Sequence, residues 1–454
     1  MVRHGEWLRV GIGGAVLIGA AVIASMAVEP REPVSVARLE PLRRCRDTLG
    51  VWTLLPEDGL FDLGANPFVT ARGNQLLVLG QGGAAALDLR RSRWEPLATE
   101  AMRVSMTTPY ALWERDNRIA ERDWLLFPYQ VAFHLEVQAY ALHDHRWHPP
   151  LVLDDAFGAT PEVIAWTGHE LLVWAGRVGA RAGARVNPRS RTIARMGAGR
   201  DEPSDRHAVG SVWAKDRLFV WGGVGDDSPF PFLSTGALYD PATDTWVAVS
   251  SVGAPSPRAS PHVHWTGSKV IVFAGSQVRP PDESSGWPQI TQWFDGGIYD
   301  PQSDRWEPIP SFAPEVTPLR PNWIGFDDDR VIVLASDATL HVYDPQRRRW
   351  ATLDLPDPLA RPLEATEVRG SVRPGRLWLL PPGPNGAGGL ARLDPTHLRW
   401  AVAPLPPNPL SVDALAWADG CLVEWGTSTT GRRVAAMITP VFEELPARDR
   451  AVAR

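Results

Sequence analysis

Apolar residues along most of this chain come in unbroken runs of four or so that end on small residues, and they do not alternate with polar ones. Such runs occupy residues 76–79, 124–127, 171–174, 218–221, 270–273, 331–334, 377–380 and 422–425. A short apolar run without alternation predicts a strand covered on both faces. A second signal follows each run after a loop: Tyr or Leu, then Asp-Pro, then Trp six residues beyond the Asp. The clearest copies are Tyr239-Asp240-Pro241 with Trp246, Tyr299-Asp300-Pro301 with Trp306, Tyr343-Asp344-Pro345 with Trp350, and Leu393-Asp394-Pro395 with Trp400. Weaker copies keep the offset of six: Asp88 with Trp94, Ala141 with Trp147, Asn187 with Ile193, and Thr439 with Leu445. Together they make eight units about 44 to 60 residues apart.

The chemistry of the unit predicts its structure. The Asp side chain caps nearby amides and Pro fixes φ, so Asp-Pro opens a turn. The Trp then offers a large apolar contact to a neighbouring unit. A small antiparallel sheet with two apolar faces cannot cover both alone, so units must stack, and radial stacking gives a β-propeller with short, protected edges. Trp52, within Val51-Trp52-Thr53-Leu54-Leu55-Pro56, has the pattern of an outer strand without its own apolar run. It is expected to complete the last unit and so close the ring.

Composition sharpens this picture. A chain of 454 residues would ordinarily hold about three domains, but the repeat reduces them to one ring over residues 45–446. Apolar residues at 44%, with 21 Trp, exclude a disordered chain. The 40 Gly and 43 Pro punctuate strands and turns. A net charge of −6 removes the electrostatic case for nucleic-acid binding. Lys215 and Lys269 are the only lysines among the 46 basic residues, which reflects base-composition bias.

Residues 10–28 are uncharged, with Arg3, His4 and Arg9 before them and Glu29, Arg31 and Glu32 after. The run is about long enough to span a bilayer core, and Ser25-Met26-Ala27 offers a small-x-small cleavage site. Residues 1–28 are therefore expected to be a signal anchor, with a cleaved signal peptide as the alternative. Residues 29–44 form a linker and 447–454 a tail. The body is expected outside the cytoplasm, in the periplasm, at the cell surface or secreted. In such an oxidising place Cys45 and Cys421, at opposite ends of the ring-closing region, are a candidate disulfide. It would close a loop of about 375 residues and contribute on the order of 4–5 kcal/mol.

The unit resembles the kelch-repeat family of β-propellers, which includes the galactose-oxidase central domain. Leu218-Phe219-Val220-Trp221-Gly222-Gly223 matches the family's apolar strand and terminal Gly-Gly, and Tyr239-Asp240-Pro241 through Trp246 matches the strand and turn that come next. Arg206-His207 and Pro257-Arg258 resemble its link between units. Gly-Gly changes to Ala274-Gly275, Ala335-Ser336 and Pro381-Pro382, and the second unit keeps little beyond Trp147. The resemblance implies an all-β, kelch-like propeller of seven or eight four-stranded blades, eight being favoured by the unit count. The family's copper radical oxidases need two tyrosines, two histidines and a cysteine joined to one tyrosine. Here Tyr239, Tyr299 and Tyr343 belong to the repeat and neither cysteine sits beside them, so no copper site, other cofactor or catalytic residue is expected.

Remaining clusters have mundane readings. His143, His145 and His148, or His262 with His264 on one strand, do not supply the three or four convergent ligands a metal needs. Asp327-Asp328-Asp329 lacks calcium-loop spacing and falls where a turn is expected. Glu424 interrupts an apolar strand, and a buried acid needs a partner, for which Arg432 or Arg433 is the candidate. Two long insertions, 224–235 and 276–295, should crowd one side of the ring. They carry Phe230, Phe232, Trp287, Trp293 and Phe294 among charges that include Arg279. Aromatics with mixed charge on loops suit recognition. The expected function is non-enzymatic binding of a protein or glycan through that face, the alternative being a carbohydrate-acting enzyme at the mouth of the central channel.

Overall fold

The computed structural model describes most of residues 161–355, and chiefly the strands between 53 and 160 and between 369 and 444. The membrane-length run 10–28, the linker 29–44, Cys45, Trp52 and the tail 447–454 lie outside the described residues. Among the described residues no helix is long and apolar enough to cross a membrane. Every described element is a strand or isolated bridge, and every pairing is antiparallel.

The described strands form eight sheets of four or five strands, with two two-stranded pairs beside them. The fourth sheet is representative: Gly210–Ala214, Arg217–Trp221, Gly236–Asp240 and Thr245–Val249, each paired with the next. The fifth repeats it with His262–Trp265, Val270–Phe273, Gly296–Asp300 and Arg305–Ile309. The expected doubly covered strand is the second of each sheet: Leu171–Trp174 and Val270–Phe273 are buried at every position. The offset of six follows from strand register. Asp240 pairs with Thr245 across a four-residue turn, so the Tyr239 before it faces Trp246, as Tyr299 faces Trp306 and Tyr343 faces Trp350.

Apolar cores lie between sheets. One cluster joins Trp174 of the third sheet to Val220 and Tyr239 of the fourth, the next joins Phe219 to Val272 and Trp306, and a third joins Phe273 to Val333 and Tyr343. The first strand of the first sheet, Phe68–Arg72, lies against that of the eighth, Ser411–Ala418. The structure is thus all-β and consistent with a β-propeller.

Polar contacts set how neighbours meet. In the turn after Asp300, Asp304 takes a left-handed φ of 52°. Its carboxylate accepts from its own Tyr299 hydroxyl at 2.8 Å and from the backbone N–H of Ser250, in the preceding sheet's exit, at 2.9 Å. Trp306 Nε1 donates to the Ser250 carbonyl at 2.7 Å. Burial and the Asp304 carboxylate push the Tyr299 phenol well above its ordinary pKa. Asp244 makes the same joint with Tyr239 and with Gly197 N–H, and Trp246 donates to the Gly197 carbonyl. One sheet on, Trp350 donates to the Pro310 carbonyl at 2.7 Å. Pro310 has no N–H to offer, and the turn residue there is Arg348, not Asp.

The termini depart from the simple repeat. Thr53–Leu54 pairs with Arg433–Ile438 as the outer strand of the eighth sheet, as expected of the segment around Trp52. Thr439 and Leu445 of the weak eighth copy lie outside the described residues. Between them, Glu443–Glu444 joins the outer edge of the seventh sheet, beside Ala401 and Val402, while the N-terminal strand fills the eighth sheet's edge.

Asp304→Ala leaves the Tyr299 hydroxyl and the Ser250 N–H without their acceptor, and is expected to destabilise the protein by about 2–4 kcal/mol. Arg348→Ala, at the same repeat position, should cost less than about 0.5 kcal/mol. Denaturant titration of both variants checks this, and equal losses would show that the carboxylate joint is not what matters.

Candidate ligand-binding face

The connections that leave the second strand of a sheet emerge at the same end as the links between sheets, because the second strand runs antiparallel to the first: Gly210 pairs with Trp221 and His262 with Phe273. The two long insertions therefore share one end with residues 206–209 and 258–261. Val224–Gly225 pairs with Arg206–His207, and Ala259 bridges to Ser276. The link passes so close that a side chain at residue 223 would meet the His207 carbonyl at 2.6 Å, and Gly223 has a φ of 94°. That is a position only glycine fills without strain.

Two buried arginines hold the feet of these insertions. Arg258 is fully buried, and its Nη1 donates to the carbonyls of Ala274 and Asp295 at 3.1 and 3.0 Å, one at each foot of the second insertion. Its Nε donates to the Ser256 carbonyl, and its Nη2 lies 2.9 Å from the Asp295 carboxylate. Trp293 packs over the guanidinium at 5.1 Å. Burial pushes the Arg258 pKa down and Asp295 opposes the shift. Arg206 repeats the arrangement in the preceding link, with Nη1 donating to the Gly222 and Thr235 carbonyls and Nη2 to the Ser204 and Thr235 hydroxyls. Burial lowers its pKa to about 10, which leaves it cationic at neutral pH. Beside it, His207 Nδ1 lies 3.1 Å from the Asp226 carboxylate. With their donors committed to loop backbone, both arginines hold structure and are not free to meet a substrate.

The second insertion is a β-hairpin, Ser276–Arg279 with Gln289–Gln292. Val278 faces Ile290, whose side chain is 59% exposed. Of the expected site residues, Phe232 is half-buried and bridged to Val224. Arg279 ends the first hairpin strand, opposite Gln289. Trp293 and Phe294 belong to the foot: Trp293 covers Arg258 and donates its backbone N–H to Gly275, while Phe294 packs edge-on against Phe312 at 5.3 Å. Both aromatics are partly buried and pack at the foot of the insertion. Phe230 and Trp287 lie outside the described residues.

The other candidates resolve locally. His262 is exposed, whereas His264 stacks on Phe326 at 4.9 Å with Nε2 on the Asp328 carbonyl, and burial lowers its pKa. Among the described residues no group of His, Cys, Asp and Glu could hold a metal. His143 and His145 fall outside them, and the backbone N–H of His148 pairs with the Ala139 carbonyl. Asp328 and Asp329 form the expected turn between Pro321–Asp327 and Arg330–Ala335. Glu424 faces Ala436 across the sheet, while Arg433 faces Thr427. The pleat puts positions 424 and 433 on opposite faces of the sheet, and Arg432 lies outside the described residues. Cys421 begins its strand opposite Ala418.

No family model matches the chain. Over 160 residues, 33% of this chain, it is 26% identical to beta-scruin from Limulus polyphemus, a kelch-repeat protein. The match spans 16% of that protein's length.

Replacing Arg258 by Met leaves the Asp295 carboxylate and both foot carbonyls without their cation. Removing one partner of a buried pair costs about 3–5 kcal/mol. Hydrogen exchange should show Ser276 and Trp293 amides losing protection at least about tenfold while those of Gln75–Gly80 are unchanged. Unchanged exchange at the feet would refute the clamp.

Proposed function

We propose that this protein is a kelch-like propeller of eight blades, each of the eight larger sheets being one blade, and that it binds a protein or glycan partner through its insertion-bearing end. One observation carries the binding reading. The fourth and fifth sheets have matching arginine-clamped feet, yet loops of different length and composition stand on them. A rigid base with variable loops is how recognition surfaces are built. In the first sheet the same connection is only Gln81-Gly82, between Gly80 and Gly83, so the sheet does not need a long loop. The distant kelch-repeat relative favours a protein partner. Replacing residues 276–292 by Gly-Ser should leave the melting temperature within a few degrees while proteins that co-purify with the wild type are lost. Retention of the same partners would refute binding through this loop.

We further propose that the body lies outside the cytoplasm, tethered through residues 10–28 or released by cleavage near Ala27, with Cys45 and Cys421 bridged. Support for the bridge comes from the closure. Thr53 pairs with Met437, the adjacent Ile438 pairs with Leu422, and Cys421 is next along that strand. Eight residue steps from Thr53 back to Cys45 reach roughly 26 Å, ample to cross two strand spacings of about 4.8 Å. Mass spectrometry after alkylation without reduction should show no added mass at either cysteine. Two labelled thiols would refute both the bridge and the oxidising location that motivates it.

A further inference from the structure

The outer strand of the third sheet, Thr192–Arg195, breaks the repeat in a way that leaves it open. In the fourth and fifth sheets the outer strand buries a Trp at its second position, and Trp246 and Trp306 bond to the preceding sheet. Ile193 holds that position here, opposite Val186, and is 38% exposed. The bond to the preceding sheet comes from the turn instead, where Arg191 Nη1 donates to the Pro149 carbonyl at 2.9 Å. Every residue from Arg189 to Arg195 is exposed, and the strand lies at the edge of its sheet.

The charge along this edge is one-sided. Residues 184–197, all within the described structure, include Arg185, Arg189, Arg191 and Arg195 and no Asp or Glu. Arg185 is committed to Glu170 at 2.9 Å. Among the described residues, neither Arg191 nor Arg195 is paired with a carboxylate. Asp244, which reaches the strand's exit, is committed to the Tyr239 hydroxyl and the Gly197 N–H. The next carboxylates along the chain, Asp201 and Glu202, stand beyond that exit in the link.

Elsewhere the chain shows what such an edge accepts. The seventh sheet's outer strand, Arg399–Ala403, takes Glu443–Glu444 as an antiparallel neighbour, with Ala401 facing Glu444 and Val402 facing Glu443. Trp400 of that strand pairs with Leu393 as Ile193 pairs with Val186, so Ala401 and Val402 correspond to Ala194 and Arg195. We infer that the edge of the third sheet docks an extended acidic segment of a protein partner, added antiparallel beside Ala194 and Arg195. The open backbone groups of an edge recognise another peptide backbone, which nucleic acid and lipid do not offer. Arginines along it repel basic strands and admit acidic ones. This edge belongs to a different sheet from the two insertions, so its occupation does not rest on binding there.

Random peptides displayed on phage and selected on the immobilised full-length chain test this. Among the winners a net-negative group is expected whose synthetic copies lose about tenfold or more in affinity on Arg195→Glu. On that variant they should regain it when their acids are changed to Lys. On the wild type they should lose it when one of the two alternating sets of their backbone amides is N-methylated. Replacing residues 276–292 by Gly-Ser should leave this group bound, and thermal melts show that each variant keeps its fold. A selection in which no winner responds to Arg195→Glu would overturn the site. Winners that need Arg195 but survive N-methylation of either set would overturn strand addition, and neutral or basic winners that need it would overturn the acidic preference.

Discussion

No sheet in this protein can stand alone. The second strand of each is apolar on both sides, so an isolated sheet would leave one face in water, and every core is shared between neighbours. Hydrophobic burial is non-directional, and by itself it would let adjacent sheets slide. Direction comes from the joint at the Asp-Pro turn. There an indole N–H and a carboxylate each bond to one residue of the preceding sheet, as Trp306 and Asp304 do with Ser250. A left-handed turn residue delivers the carboxylate to that spot. The same φ recurs at 191, 244, 348 and 398, so the backbone form belongs to the repeat even where the side chain has changed. Where the preceding residue is Pro310, the donor is gone and so is the Asp.

At the opposite end the problem is reversed. Loops leave the strands there, and the Thr235 and Asp295 carbonyls, which accept from the Gly222 and Ala274 N–H groups, keep a second lone pair free. A guanidinium has several donors in a rigid fork, and Arg206 and Arg258 each place one between the two feet of a loop. The cation costs desolvation, which depresses both pKa values, and the converging carbonyls, with Asp295 in one case, offset that cost. The sheets are thereby insulated from what the loop does. A loop on one clamp and a longer hairpin on the other sit on equivalent feet, and this freedom is what a binding face requires.

Much of this was legible in the residues. The offset of six is the arithmetic of a four-residue turn plus the cross-strand neighbour, so the turn, the Trp position and the strand pair all follow from one motif. The link arginines recur in front of successive units and mark the loop end. Side-chain allegiance was not legible. Trp293 and Phe294, aromatic and on an insertion, have the composition of a contact surface, yet they cover a guanidinium and Phe312. An aromatic residue that packs on its own foot and one that waits for a partner have the same local sequence.

The sequence by itself determined the repeat, the doubly buried strands, the turn chemistry and the end on which the insertions fall, because each is written in a local pattern that recurs from unit to unit. Only the tertiary structure decided which strand fills the eighth sheet's edge, that Glu443–Glu444 joins the seventh, and that positions 424 and 433 lie on opposite faces. It also decided that Arg258, Asp295 and Trp293 form one cluster. Those outcomes depend on register and on which distant edge is still free when the chain closes, and neither is written in any local pattern.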